Sequence, residues 1–189
     1  MSTPGTTAHD RGDDTAAARA AVETYLAEGD VEWERGARDG EFVVTLPGEH
    51  KLRTVVSLVV GERALSVSAF VIRNPDEGHE QVYRYLLRRN LRMPWLAYSV
   101  DSSGDVYVSG RLPLRSVDDE LLDGLLGVVL EAADGPFDEL LVMGFLSSMR
   151  KEWDWRVKNG ESLRNLEAFR SILERPGDAS DTPPEADAR

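Results

Sequence analysis

The 189-residue chain has no cysteine. That absence removes disulfides, thiolate nucleophiles and cysteine-based zinc sites, and it is compatible with a reducing cytoplasm. Histidine is scarce: His9, His50 and His79 are the whole set. They fall in the amino-terminal tail, beside a turn and at a helix start. None stands in a G-x-S-x-G, P-loop or comparable nucleophile pattern. No segment approaches the ~18 consecutive apolar residues that span a bilayer, and the first residues contain no apolar signal-peptide core. Basic charge is also short, with 22 Lys plus Arg against 34 Asp plus Glu and a net charge of −12. Such a surface repels phosphate backbones and anionic headgroups, so neither nucleic acid nor a membrane is expected as a partner.

What is present suits one α+β domain with a real core. Residues 1–13 are rich in Ser, Thr, Gly and Asp and read as a disordered tail. From Asp14 the pattern is helical, with Ala18, Ala21, Val22, Tyr25 and Leu26 on one stripe. Asp14 or Thr15 is positioned to cap that helix and Gly29 to stop it. A short strand around Trp33 and a second through Phe42, Val44 and Leu46 follow.

Residues 51–90 organise the chain. Val56, Leu58 and Val60 alternate with Val55, Ser57 and Val59, which predicts a strand covered on both sides. A turn at Gly61-Glu62-Arg63 returns it through Leu65, Val67, Ala69 and Val71. Strands so weakly charged are expected in the middle of a sheet, away from its edges. Asn74-Pro75 then breaks the run, and a helix is predicted from about Gly78 to Arg92. Its arginines Arg84, Arg88 and Arg92 recur every fourth residue beside an apolar stripe of Val82, Tyr83, Leu86, Leu87 and Leu91. A second hairpin turns at 101–105. Ser116 with Asp119 has the spacing of a capping box for the next helix.

The helix predicted over 136–158 carries two apolar faces. Phe137, Leu140, Leu141, Gly144 and Phe145 form one. Val142, Leu146, Met149, Trp153 and Val157 form the other, and a surface helix needs only one. The second face therefore meets either the segment around Leu163, Leu166, Phe169 and Leu173 or another subunit. These five residues are the candidate dimer interface. Residues 136–174 read as a helical extension of a domain spanning 14–174. The Pro- and acid-rich stretch 175–189 reads as a disordered tail.

Chemistry is sparse. Asp76, Glu77, His79 and Glu80 carry metal-ligand atoms, but their spacing suits acids favouring the positive end of a helix dipole better than a ligand set. Asp101, Ser103 and Asp105 lack the twelfth-position acid of a calcium loop, since Leu112 stands there. Trp153 and Trp155 point to different sides of a helix and make no stacking platform. No catalytic residue, cofactor or metal is assigned. Arg84, Arg88 and Arg92 oppose the chain's overall charge and are the candidate partner-binding residues.

The wording of several segments adds to this. Leu46-Pro47-Gly48-Glu49, Lys51-Leu52-Arg53-Thr54, Ala69-Phe70-Val71-Ile72-Arg73-Asn74-Pro75 and Gly104-Asp105-Val106-Tyr107 resemble actinobacterial proteins of the YbjN-domain family. Gly110-Arg111-Leu112-Pro113-Leu114 and Glu152-Trp153-Asp154-Trp155-Arg156 strengthen the likeness. The family is described as a regulator of sensory transduction and resembles the type III secretion chaperones in fold. The resemblance implies an α-βββ-α-ββ-α order, no catalytic residues and a small acidic dimer that holds a protein partner. The expected function is a cytoplasmic protein-binding module, homodimeric and non-enzymatic. The alternative is a sensor domain that responds to a small molecule.

Overall fold

The computed structural model of the chain describes residues 8–174. Of the expected tails, residues 1–7 and 175–189 lie outside the described residues. Helix α1 (Ala8–Glu28) precedes strands β1 (Glu32–Arg35), β2 (Glu41–Pro47), β3 (Arg53–Val60) and β4 (Ala64–Ile72). Helix α2 (His79–Asn90) follows, then β5 (Leu96–Val100), β6 (Val106–Pro113), α3 (Asp119–Ala133), α4 (Phe137–Asn159) and the short α5 (Arg170–Leu173). The strands form one antiparallel six-stranded sheet in the order β1-β2-β3-β4-β6-β5. The fold is α+β, and the short strand expected around Trp33 forms as β1, which adds an edge strand to the α-βββ-α-ββ-α order that the resemblance implies. Helix α1 starts at Ala8, ahead of the caps expected at Asp14 or Thr15.

As their low charge required, β3 and β4 occupy the middle of the sheet. One face of it is buried. Val56, Leu58, Val60, Leu65 and Val67 are all sealed from solvent, facing Val22 and Leu26 of α1 and Leu122, Leu125 and Val129 of α3. Each such side chain contributes about 1.5–3 kcal/mol on leaving water.

The opposite face is bare, which corrects the expectation that β3 is covered on both sides. Val55 is 44% exposed, and Ser57, Val59, Ser66 and Ser68 are shielded only in part. Valine favours a pleated strand whether or not anything packs above it, so Val55 and Val59 signalled a strand and not a second covered face.

Towards its end β4 slips register between Phe70 and Ile72, which lets both Val71 and Ile72 point into the core. The Lys51 ammonium donates to the carbonyls of Phe70 (2.8 Å) and Val71 (3.1 Å) beside this slip. It also lies 5.5 Å from the ring centres of Phe70 and Phe137, an arrangement favourable to a cation. Burial pushes its pKa below the usual lysine value.

Helix α3 is capped two residues later than the capping-box spacing implied, at Asp118 instead of Ser116. Asp118 accepts the Leu121 N–H at 2.9 Å, while the Ser116 hydroxyl turns back to the Pro113 carbonyl. A short 3-10 turn over Leu114–Ser116 takes up the positions where that box would have opened. The turn at 101–105 is a hairpin connection: the Asp101 carboxylate accepts the N–H groups of Ser103 and Asp105. Among the described residues, no helix is long and apolar enough to cross a membrane.

Candidate partner-binding surface

Helix α2 starts at Gly78 in the left-handed region, φ 63°, with no side-chain cap. A Cβ there would fall 2.3 Å from the Met143 carbonyl oxygen of α4, so only glycine permits this approach. Val82 and Leu86 are the buried residues of the helix, turned towards α4 and the sheet. Glu80 in the first turn and Arg88 and Arg89 in the last complement the helix dipole. The helix ends at Asn90, so Arg92 lies in the turn beyond it rather than on the last helical step.

Arg84, Arg88 and Arg92 are all exposed. Arg84 pairs with Glu80 at 2.6 Å, both ends open to water, so that pair adds little stability. Among the described residues, Arg88 and Arg92 have no side-chain partner. Leu87 and Leu91 stand next to them, 63% and 88% exposed. The outward side of α2 thus presents cations beside bare leucines, a combination that the apolar stripe did not reveal because burial depends on what packs above it.

The acids before α2 are engaged one by one. Asp76 bonds Arg73 through both oxygens (2.6 and 2.8 Å) and accepts from Ser148. The Arg73 guanidinium and the Ser148 hydroxyl hold its pKa at about 2. Glu77 accepts the backbone N–H and the hydroxyl of Ser147, and His79 lies 3.2 Å from the Asn74 carbonyl oxygen. Each side chain points to a different partner, so the cluster pins the loop to α4. The Asp76 and Glu77 N–H groups both donate to the Gly144 carbonyl, tightening the same join.

The second face of α4 divides along its length. Met149 and Trp153 are buried, 8% and 5% exposed, against the segment that carries Phe169 and Leu173. The Arg170 guanidinium lies 5.6 Å from the Trp153 ring. Of the two coverings that the pattern allowed, the chain's own terminal segment supplies the one over Met149 and Trp153. Val142 and Leu146 are half-buried, and Val157 is exposed.

A cleft of about 170 Å³ opens between the end of α2 and α3, lined by Arg89, Arg92, Met93, Pro94, Val128 and Glu131 among others. Arg89 is half-buried there and donates to the Tyr85 hydroxyl at 3.3 Å. Among the described residues no carboxylate bonds it. Sequence reasoning passed over Arg89 because it interrupts the four-residue spacing of the arginine row.

The chain is similar to several known proteins. A family model described as "Putative bacterial sensory transduction regulator", YbjN, matches residues 18–141. An uncharacterized protein of Mycobacterium leprae is 50% identical over 145 residues, covering 76% of this chain and 79% of its own length. An uncharacterized protein of Mycobacterium tuberculosis is 49% identical over 134 residues, covering 71% of this chain and 73% of its own. Among solved structures, that of the ExsC–ExsE complex overlaps 66% of this chain and 93% of its own, with a TM-score of 0.45 and 16% identity.

Proposed function

The chain belongs to the YbjN family, and from that membership we propose that it is a non-enzymatic, cytoplasmic protein-binding module that holds a client or signalling partner and acts as a homodimer. The observation that carries the reading is the outward side of α2. Arg88 and Arg92 project there without a described partner, beside the exposed Leu87 and Leu91. A partner segment that is helical, acidic on one side and apolar on the other fits this pattern. Covering the leucines would contribute about 1.5–3 kcal/mol each. The arginines would mainly raise the association rate and exclude basic competitors.

Capture of partners from native lysate tests this reading. Wild-type chain should retain a partner that the Arg88→Glu/Arg92→Glu double variant loses. Adding Arg84→Glu should change the result little, because Arg84 is already paired with Glu80. Equal retention by wild type and double variant removes the arginines as the dock.

One observation favours a second reading, a small-molecule sensor. Arg89 is a half-buried cation at the wall of the α2–α3 cleft, held by the Tyr85 and Tyr98 hydroxyls, with Glu131 on the same wall and no carboxylate bonded to it among the described residues. A small carboxylate with an apolar body against Met93, Pro94 and Val128 would complete it. Such a ligand raises the melting temperature with the logarithm of its concentration once that exceeds its Kd, and Arg89→Gln abolishes the rise. No shift with any small carboxylate at millimolar concentration removes this reading.

A further inference from the structure

We propose that the bare face of the sheet is where a second copy of this chain packs, sheet against sheet. The inference rests on the self-association proposed above and gives it a location different from the α4 stripe. Small and apolar side chains make up most of the centre of the face, with one ion pair upon it: the Arg38 guanidinium donates to the Ser57 hydroxyl at 3.0 Å and bonds Glu41. Val43, Ser57, Ser68, Ser109 and Ala97 stand side by side over five strands. Beside this row lie Val55 and the Phe70–Tyr107 pair, whose rings meet edge to face at 5.6 Å. The outward charges along the next row are Glu41 and Arg111. Glu41 is already neutralised by Arg38 and by the Ser57 hydroxyl.

Width decides between occupants. Strands about 4.8 Å apart make a six-stranded face roughly 24 Å across. One helix, about 10 Å in diameter, leaves more than half of it wet. The opposite face is covered by α1 and α3, with α2 against β5 and α4 against β4. A second identical sheet matches the width without any further element. Over roughly 20 Å along the strands, the footprint with its pleated side chains approaches the roughly 800 Å² per partner of a specific interface.

The relief is also self-complementary. Phe70 and Val55 rise from one row, and the row beside it is low from Ser68 through Ser109 to Ala97, while Arg38 stands over Ser57. A two-fold axis in the interface lays the raised row of each copy over the low row of the other. Association through the edges is opposed on both sides. Strand β1 exposes Glu32, Glu34 and Arg35, and on β5 the Tyr98 N–H is taken by the Asn90 side chain at 2.8 Å. The chain carries a net charge of −12, and on the face itself Glu34 extends the serine row beyond Val43 while Glu32 extends the Val55 row beyond Thr45. Repulsion between copies is therefore screened by salt, and association tightens as ionic strength rises.

Sedimentation of the full chain from 1 to 200 µM tests the assignment, with Ser68→Arg and Val55→Lys as face variants and Glu120→Arg, on the opposite side, as control. The expected result is a wild-type dimer, tighter at 300 than at 20 mM NaCl. Each face variant should weaken it at least 30-fold with an unchanged circular dichroism spectrum, and the control should not. If a face variant unfolds, Ser68→Cys replaces it. The chain has no native cysteine, so a bismaleimide of about 10 Å, the usual spacing of stacked sheets, should link Ser68→Cys dimers and fail with Ser116→Cys. A dimer indifferent to the face variants, or unlinked through Ser68→Cys, overturns the location and leaves self-association standing. A wild type still monomeric at 200 µM overturns both. A monomer whose Ser68→Arg variant loses a partner held by wild type overturns the second copy as occupant.

Discussion

Glu77 and Ser147 meet twice. The Glu77 carboxylate accepts the Ser147 backbone N–H and its hydroxyl, each at 2.6 Å, from 70 residues away in the chain. An interior helical N–H ordinarily bonds only the carbonyl four residues back. Here a side chain from the loop before α2 reaches into α4 and acts on it as a cap does. The contact fixes α2, with its exposed arginines and leucines, to the longest helix among the described residues.

Glu77→Ala should therefore destabilise the fold by about 1 kcal/mol, the usual loss on removing a cap. Ser147→Ala should cost less, since the backbone bond to Glu77 survives it. Chemical denaturation of the two variants checks the order. A Ser147→Ala loss equal to or larger than that of Glu77→Ala would show that the hydroxyl, and not the backbone N–H, carries the contact.

Asp134 plays a related role between α3 and α4. Its carboxylate takes the N–H groups of Glu49 (2.9 Å), His50 (3.2 Å) and Lys51 (2.7 Å). Burial pushes its pKa up, but those N–H groups outweigh it and hold the pKa below the ordinary value. Asp134→Ala leaves the N–H groups unpaired at a nearly buried site and should cost about 2–3 kcal/mol. Asp134→Asn keeps one acceptor oxygen and should cost about half as much. Equal losses in urea unfolding would mean that side-chain volume, not hydrogen bonding, sets the effect.

Thr54 offers the opposite case. Its residue is fully buried in β3, and its hydroxyl has no hydrogen-bond partner among the described residues. Thr54→Val keeps the β-branched shape and removes an unsatisfied polar group. It should stabilise the fold by about 0.5–1 kcal/mol, read as a higher melting temperature. A lower one would mean that the hydroxyl is satisfied in solution.

These contacts mark where sequence reasoning reaches and where it stops. The central placement of β3 and β4 was legible because charge-poor strands are hazardous at an edge. The turn at Asp101 was legible from local hydrogen-bonding chemistry. The bare sheet face was not, because the alternation of Val55, Ser57 and Val59 is the same whether or not something packs above them. Met149 and Trp153 read as a face in need of cover, yet no pattern could say that Phe169 and Leu173 of the same chain would supply it. Glu77 read as an ordinary acid at a helix start and Asp134 drew no reading, because their partners lie 70 and 83 residues away.

The acids also set the pH response. Glu41, nearly buried, is held at about 2 by Arg38 and the Ser57 hydroxyl, against an ordinary 4.5. Asp76 is held at about 2 by Arg73 and the Ser148 hydroxyl, against an ordinary 3.8. A carboxylate whose folded pKa is depressed stabilises the fold above its unfolded pKa. That contribution fades as the pH falls through the interval down to the folded pKa, because the unfolded chain takes the proton first. The melting temperature should thus be insensitive to these groups above about pH 5 and fall between pH 4.5 and 2. Glu41→Gln should lower stability at pH 6 and flatten the fall below pH 4.5, so the two curves converge near pH 2. His50 runs the other way. Its bond to Asp138 at 2.8 Å raises its pKa, so its contribution is complete below the ordinary 6.5 and disappears as the pH rises through the raised value. A Glu41→Gln curve parallel to wild type from pH 6 to 2 would show that the Arg38 and Ser57 bonds leave that carboxylate's affinity for protons unchanged.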